Sequence, residues 1–165
     1  MPSIMSTKYI FLYLIYLLSA YTKKANKLFD LNQADLKYKT QFFKKMNLQQ
    51  FHEFCLAKKG VTESFPFDDD ALVFKIGNKM FAATSLKSWE NGDPSVNLKC
   101  NPERSIILRT ENEDIMPGYH MSKVHWNTIK INRSVSDKAV LELVNHSFDL
   151  VFTSLSKKLQ STISE

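Results

Sequence analysis

The sequence predicts an α+β domain in which an antiparallel five-stranded sheet is covered on one face by helices, in the order α-β-β-β-α-β-β-α. Three observations carry this. Leu48, Phe51, Cys55 and Leu56, and later Val140, Val144, Phe148, Val151 and Leu155, recur at helical spacing. Gly77-Asn78 separates two apolar runs, as in a two-residue hairpin with positive φ at its first position. Residues 95–99 and 126–131 alternate polar with apolar, as half-buried strands do.

Each element has local causes. Asn47 caps the first helix and Gly60 stops it. Residues 61–70, with Phe65-Pro66-Phe67 before Asp68-Asp69-Asp70, read as an ordered loop with buried aromatics and a solvated acidic tip. Leu72–Ile76 and Lys79–Ala83 form the hairpin, Trp89–Pro94 a loop and Ser95–Lys99 the third strand. Asn101-Pro102-Glu103 supplies a cap, a first-turn proline and an acid that favours the helix dipole, so a short helix runs through Ile106, Ile107 and Leu108 until residues 111–114. After the Pro117-Gly118 turn, Tyr119–Lys123 and Trp126–Ile131 read as strands. Ser136 caps the last helix, and residues 159–165 form a frayed polar tail.

A sheet covered on one side leaves a face open. With Val96, Leu98, Ile129 and Ile131 toward the helices, Asn97, Lys99, Trp126, Thr128 and Lys130 point outward, while alternation turns Asn127 inward. Residues 117–127 also concentrate groups able to touch a ligand: Tyr119, His120, Lys123, His125, Trp126 and Asn127. Lys99, Lys123 and Lys130 are suited to phosphate, Trp126 to stacking, and His120, His125 and Asn127 to polar contacts. Packing of Trp126 against a loop, such as that of Trp89, is the plain alternative.

Enzymatic chemistry has no such pattern. His120-x4-His125 lacks zinc-ligand spacing, and no Ser or Cys is set beside a His oriented by an acid. His146 and Asp149 read as a helix-surface hydrogen-bonding pair. The expectation is a protein that is not an enzyme, with no cofactor and no metal. Cys55 and Cys100 fit two buried thiols in a reducing compartment, with a single disulfide as the alternative.

The chain has 165 residues and a net charge of +5. The charge is unevenly placed. Residues 1–45 hold eight Lys against Asp30 and Asp35, a net of +6, so residues 46–165 carry 14 basic and 15 acidic groups, a net of −1. Any phosphate contact in the folded part must therefore come from a local patch. The apolar run Tyr9–Leu18 is too short to span a bilayer, which takes about 20 residues. Residues 1–45 read as an N-terminal extension of three possible kinds: an export segment, an interfacial or partner-binding helix, or an upstream stretch outside the functional protein. A domain over 46–158 opens cleanly at Met46.

Several blocks carry a family likeness. Phe65-Pro-Phe, Leu72-Val-Phe-Lys-Ile, Gly77-Asn-Lys-Met-Phe-Ala, Val96-Asn-Leu-Lys-Cys, Pro117-Gly-Tyr-His-Met-x-Lys-x-His-Trp-Asn-Thr and His146-Ser-Phe-Asp-Leu-Val resemble, in order, the motifs of the MmcQ/YjbR family. The resemblance runs from Met46 to about Leu155. It implies a fold similar to type III secretion chaperones and the frataxin-like CyaY proteins, a cytoplasmic location, and DNA binding through a double-wing surface. Ser122 departs from the family's Asn, and Asp68 from its Gly. Ser cannot make the bidentate contact to an adenine edge that Asn makes.

Three functional expectations follow. The first is DNA binding through the basic and aromatic patch on the open face, and the second a protein-interaction or chaperone-like module using that same face. The third is a small-molecule site beneath the Pro117 loop.

Overall fold

The computed structural model describes residues 45–165. The extension assigned to residues 1–45 thus lies outside the described residues, apart from Lys45. The elements are α1 (Leu48–Leu56), β1 (Val61–Ser64), β2 (Ala71–Ile76), β3 (Lys79–Ser85), α2 (Leu86–Glu90), β4 (Ser95–Lys99), α3 (Pro102–Glu111), β5 (Ile115–Pro117), β6 (Trp126–Lys130), α4 (Asp137–Thr153) and α5 (Lys157–Ser164). The six strands form one antiparallel sheet in the order β1-β2-β3-β4-β6-β5.

The helix starts are capped by side chains. Asn47 accepts from the Gln50 amide while Gln50 returns a bond to the Asn47 amide, closing a capping box on α1. Asn101, Ser136 and Ser156 cap α3, α4 and α5. The core lies between the sheet and α1 and α4. Aromatic rings run through it: Trp89, Phe51, Phe74, Phe81 and Phe148 follow one another with centroids 6.1, 5.7, 6.4 and 5.6 Å apart. Ser147, fully buried on α4, ties the helix to the sheet by donating to the Phe81 carbonyl (2.5 Å) and accepting from the Lys99 amide (2.8 Å).

Several expectations are corrected. The sheet has six strands, and the two at its edges are short, without an alternation of polar and apolar residues. β1 is Val-Thr-Glu-Ser with only its ends half-buried, and β5 is three residues closed by Pro117. Residues 119–123 form no strand. His120 adopts φ +52°, which a strand cannot hold, and the Ser122 carbonyl accepts from the His125 and Trp126 amides to make a turn. In the 61–70 segment Phe65 and Phe67 are exposed. The Trp89–Pro94 loop begins as the short helix α2. Gly77 and Asn78 both have positive φ, +53° and +62°, so the hairpin turn is type I′.

The tail assigned as frayed is the helix α5. Its polar sequence hides two anchors, Leu159 and Ile163, which pack against the core. A Cβ at Gly77 would come within 2.9 Å of the Leu155 and Leu159 side chains, so the hairpin turn abuts the α4–α5 junction. Cys55 and Cys100 are both free and buried, with no disulfide between them. Burial pushes the Cys55 thiol up to about 12, against a smaller downward pull from Lys58.

The acidic tip is a hydrogen-bonded corner. Asp68 Oδ1 accepts from the Asp70 and Ala71 amides, and Asp70 accepts from the Ser85 hydroxyl (2.6 Å) and the Lys87 amide (2.7 Å). The Ser85 bond, then the Lys87 amide, holds the Asp70 carboxyl below its ordinary value of 3.8. The Ser134 hydroxyl and amide do the same for Asp114. Desolvation raises Asp137, which acts in the opposite sense. A depressed carboxyl contributes stability that is present above its unfolded value and lost as pH falls through its folded one. The thermal midpoint should therefore hold from neutrality to about pH 4 and fall below it, with a shallower fall in Asp70→Asn and Asp114→Asn. A midpoint unchanged well below pH 3 would contradict these assignments.

Candidate nucleic-acid interface

The register confirms the predicted faces of β4 and β6. Val96 pairs with Ile129 and Leu98 with Asn127 toward the helices, while Asn97 pairs with Thr128, Lys99 with Trp126 and Ser95 with Lys130 on the other side. Facing outward does not leave these side chains free, however. Trp126 is only 6% exposed, because residues 118–121 turn back over it. The Gly118 amide donates to the Trp126 carbonyl (2.8 Å), and a Cβ at Gly118 would lie 2.6 Å from the Trp126 Cβ. The Lys99 ammonium sits 5.6 Å from the indole centroid. Trp126 is closed to stacking on a base, and Trp89, which sits instead against Phe51, is not what covers it.

Asn127 is likewise structural. At 2% exposure it accepts from Arg109 Nε (2.7 Å), whose Nη2 donates to the carbonyls of Lys123 (2.7 Å) and Trp126 (2.9 Å). Arg109 on α3 thereby clamps both ends of the 123–127 segment. Thr128 finishes the anchoring by accepting from the Tyr119 amide and donating to Asn97.

The predicted cations also differ in what they offer. Lys130 is ion-paired with Asp93 (2.5 Å), which Arg133 contacts as well (2.9 Å), and these two bonds hold the Asp93 carboxyl low. Its charge is thus compensated. Lys123 donates to the Gly118 carbonyl, while His120 and His125 are exposed and the Tyr119 and His120 rings lie 4.0 Å apart. His146 Nε2 is buried without a partner among the described residues, and burial, then Arg104, lowers its pKa. Among the described residues no three His, Cys, Asp or Glu side chains converge to hold a metal ion, and no helix is long and apolar enough to cross a membrane.

The structure assembles a second basic surface that sequence order conceals. Lys58 and Lys59 follow α1, Lys75 and Lys79 flank the hairpin turn, and Lys157 and Lys158 open α5. These segments meet at one end of the sheet. Lys59 Nζ donates to the Ser164 carbonyl (2.7 Å), Lys79 Nζ to the Ser154 carbonyl (3.1 Å), and Gly60 and Gly77 abut Ile163 and Leu155. Lys58 donates to Asn145, and burial lowers its pKa against upward pulls from Cys55 and Asp149. The hydrogen-bond acceptors here are neutral, so the charges persist. Counting Asp149 and Glu165 with the six lysines gives this cluster +4 and leaves eight basic and 13 acidic groups, −5, in the rest of residues 46–165, where Lys99 ends the neighbouring strand on the same side of the sheet. Six lysines spread over 101 positions show no cluster in sequence; only the contacts of the Gly77 turn with α5 bring them together.

Comparison with known proteins agrees with this architecture. The crystal structure of Deinococcus radiodurans protein DR2400, a DUF419 domain, superposes with a TM-score of 0.67 at 30% identity, covering 73% of this chain and 89% of that one. A Pseudomonas syringae protein superposes at 0.55 with 29% identity, over 64% and 99% of the two chains. Uncharacterized protein YbdF of Escherichia coli O157:H7 is 34% identical over 122 residues, 72% of this chain and 98% of YbdF. Uncharacterized protein YjbR of Escherichia coli K12 is 33% identical over 103 residues, 62% and 85% of the two. The YjbR family model matches residues 56–150, from the end of α1 through most of α4. On this evidence the chain belongs to the YjbR family.

Proposed function

We propose that this domain is a non-enzymatic DNA-binding protein that grips the phosphate backbone of duplex DNA with its lysine end. The observation that carries the reading is the gathering of Lys58, Lys59, Lys75, Lys79, Lys157 and Lys158, +4 with Asp149 and Glu165 counted, in a domain whose other groups in residues 46–165 sum to −5. Clustered uncompensated cations displace counterions from a polyphosphate, and this term is insensitive to sequence. Lysine supplies it as a point charge without the planar fork that reads guanine. The exposed large apolar residues Phe65, Phe67, Ile106, Ile107, Met116, Tyr119 and Val124 all lie outside the lysine segments, which disfavours an anionic membrane as the partner. Two free buried thiols suit a cytoplasmic setting.

Fluorescence anisotropy with a labelled short duplex tests the reading. If about four lysines engage, log affinity falls against log salt with a slope of about −3.6, roughly a hundredfold between 50 and 200 mM. An unrelated duplex of equal length should bind about as well. No binding at low salt would sink the proposal.

A second reading rests on α3. Ile106 and Ile107 are 65% and 55% exposed while Ser105 of the same helix is buried and Leu108 packs against the core, so the helix turns these two isoleucines to solvent. This favours a protein partner on α3, in addition to or instead of DNA. It predicts that Ile106→Asp abolishes a partner contact without lowering affinity for DNA.

A further inference from the structure

A groove of about 500 Å³ opens between α1, β1, β2 and α2, with Leu48, Leu72 and Leu86 as its apolar floor and Phe65 as one wall. That volume lies within the range of about 300–1,000 Å³ typical of small-molecule sites. Phe65 is 47% exposed, so an aromatic face stands open beside the floor. The polar edge is His52 on α1 and Glu63 on β1, whose Nε2 and Oε2 lie 2.5 Å apart. Glu63 Oε1 makes no hydrogen bond among the described residues, so one carboxylate oxygen is left to accept. The His52 ring meets Phe74 edge-on, with centroids 5.8 Å apart, which fixes its position.

The charge around the groove is negative. Glu53 lies on α1 beside it, and Asp68 and Asp69 lie on the connection that carries Phe65; all three are exposed. Lys87, next to Leu86, is the cation of the rim, so the acids outnumber it and cations are favoured over anions here.

We infer that this groove binds a primary amine with an apolar, aryl-sized body. The ammonium donates to Glu63 Oε1 and the body rests on Leu48, Leu72 and the Phe65 ring. The assignment is independent of the lysine end and of DNA binding.

The test uses the full-length protein and two probes of the same size and opposite charge, 2-phenylethylamine and 3-phenylpropanoate, followed by amide chemical shifts. The amine should give saturable shifts in α1, β1 and the 65–70 segment, and the carboxylate none. Glu63→Gln should weaken the amine about fivefold through loss of the charge-assisted bond, and Phe65→Ala should weaken it through loss of the wall, each variant keeping its dispersed spectrum. Equal binding of both probes, amine affinity unchanged by Glu63→Gln, or no saturable shift with the amine would each overturn the inference.

Discussion

Arg109→Ala should lower stability by about 3 kcal/mol, seen as a fall of roughly 10 °C in the thermal midpoint. The effect is large because one side chain closes three bonds, to Asn127 Oδ1 and to the carbonyls of Lys123 and Trp126. Its removal leaves the Asn127 side chain unsatisfied at 2% exposure. Arg109→Lys should recover little, since an ammonium cannot reach three acceptors in a planar fork. The loss should also couple to Asn127: Arg109→Ala and Asn127→Ala together should cost clearly less than their sum. An unchanged midpoint in Arg109→Ala would show that the 118–125 loop holds its place without this clamp.

The second large effect concerns the ligand. Replacing Lys59, Lys79, Lys157 and Lys158 together by Ala should weaken duplex binding by about a hundredfold at low salt and flatten the salt slope by nearly four. The four side chains are exposed, so the thermal midpoint should change little. The matched control removes Lys99, Lys123 and Lys130. Lys130 is already compensated by Asp93, and Lys123 and Lys99 are two cations on neutral partners, against four in the lysine cluster. That variant should lose no more than a few-fold in affinity. The reverse pattern would return the interface to the open sheet face.

Much of the fold was legible because its causes are local. The Asn47, Asn101 and Ser136 caps, the Gly77-Asn78 turn and the alternation in β4 and β6 each act within a few residues, and each element formed where those signals lay. The edge strands were hidden because an edge need not bury a full face, so Val61–Ser64 carries no period of two in polarity. α5 was hidden because Leu159 and Ile163 suffice once Gly77 and Gly60 give them surfaces.

The candidate site was legible as a special stretch, while the contacts its side chains make within the domain were not. Residue types that can touch a ligand can equally satisfy one another. Trp126, Asn127 and Thr128 are consumed by Gly118, Arg109 and Tyr119, and Arg109 sits 18 positions from Asn127, outside any local pattern. The lysine end shows the opposite case. Its members are unremarkable in sequence and acquire a joint field only through tertiary contact.

The most direct measurement is a map of amide chemical shifts of the full-length protein on titration with a short DNA duplex. The shifts should concentrate at residues 58–60, 75–79 and 157–159 and fade as salt is raised. Shifts confined instead to 97–99 and 119–126 would contradict the assignment of the lysine end as the DNA contact.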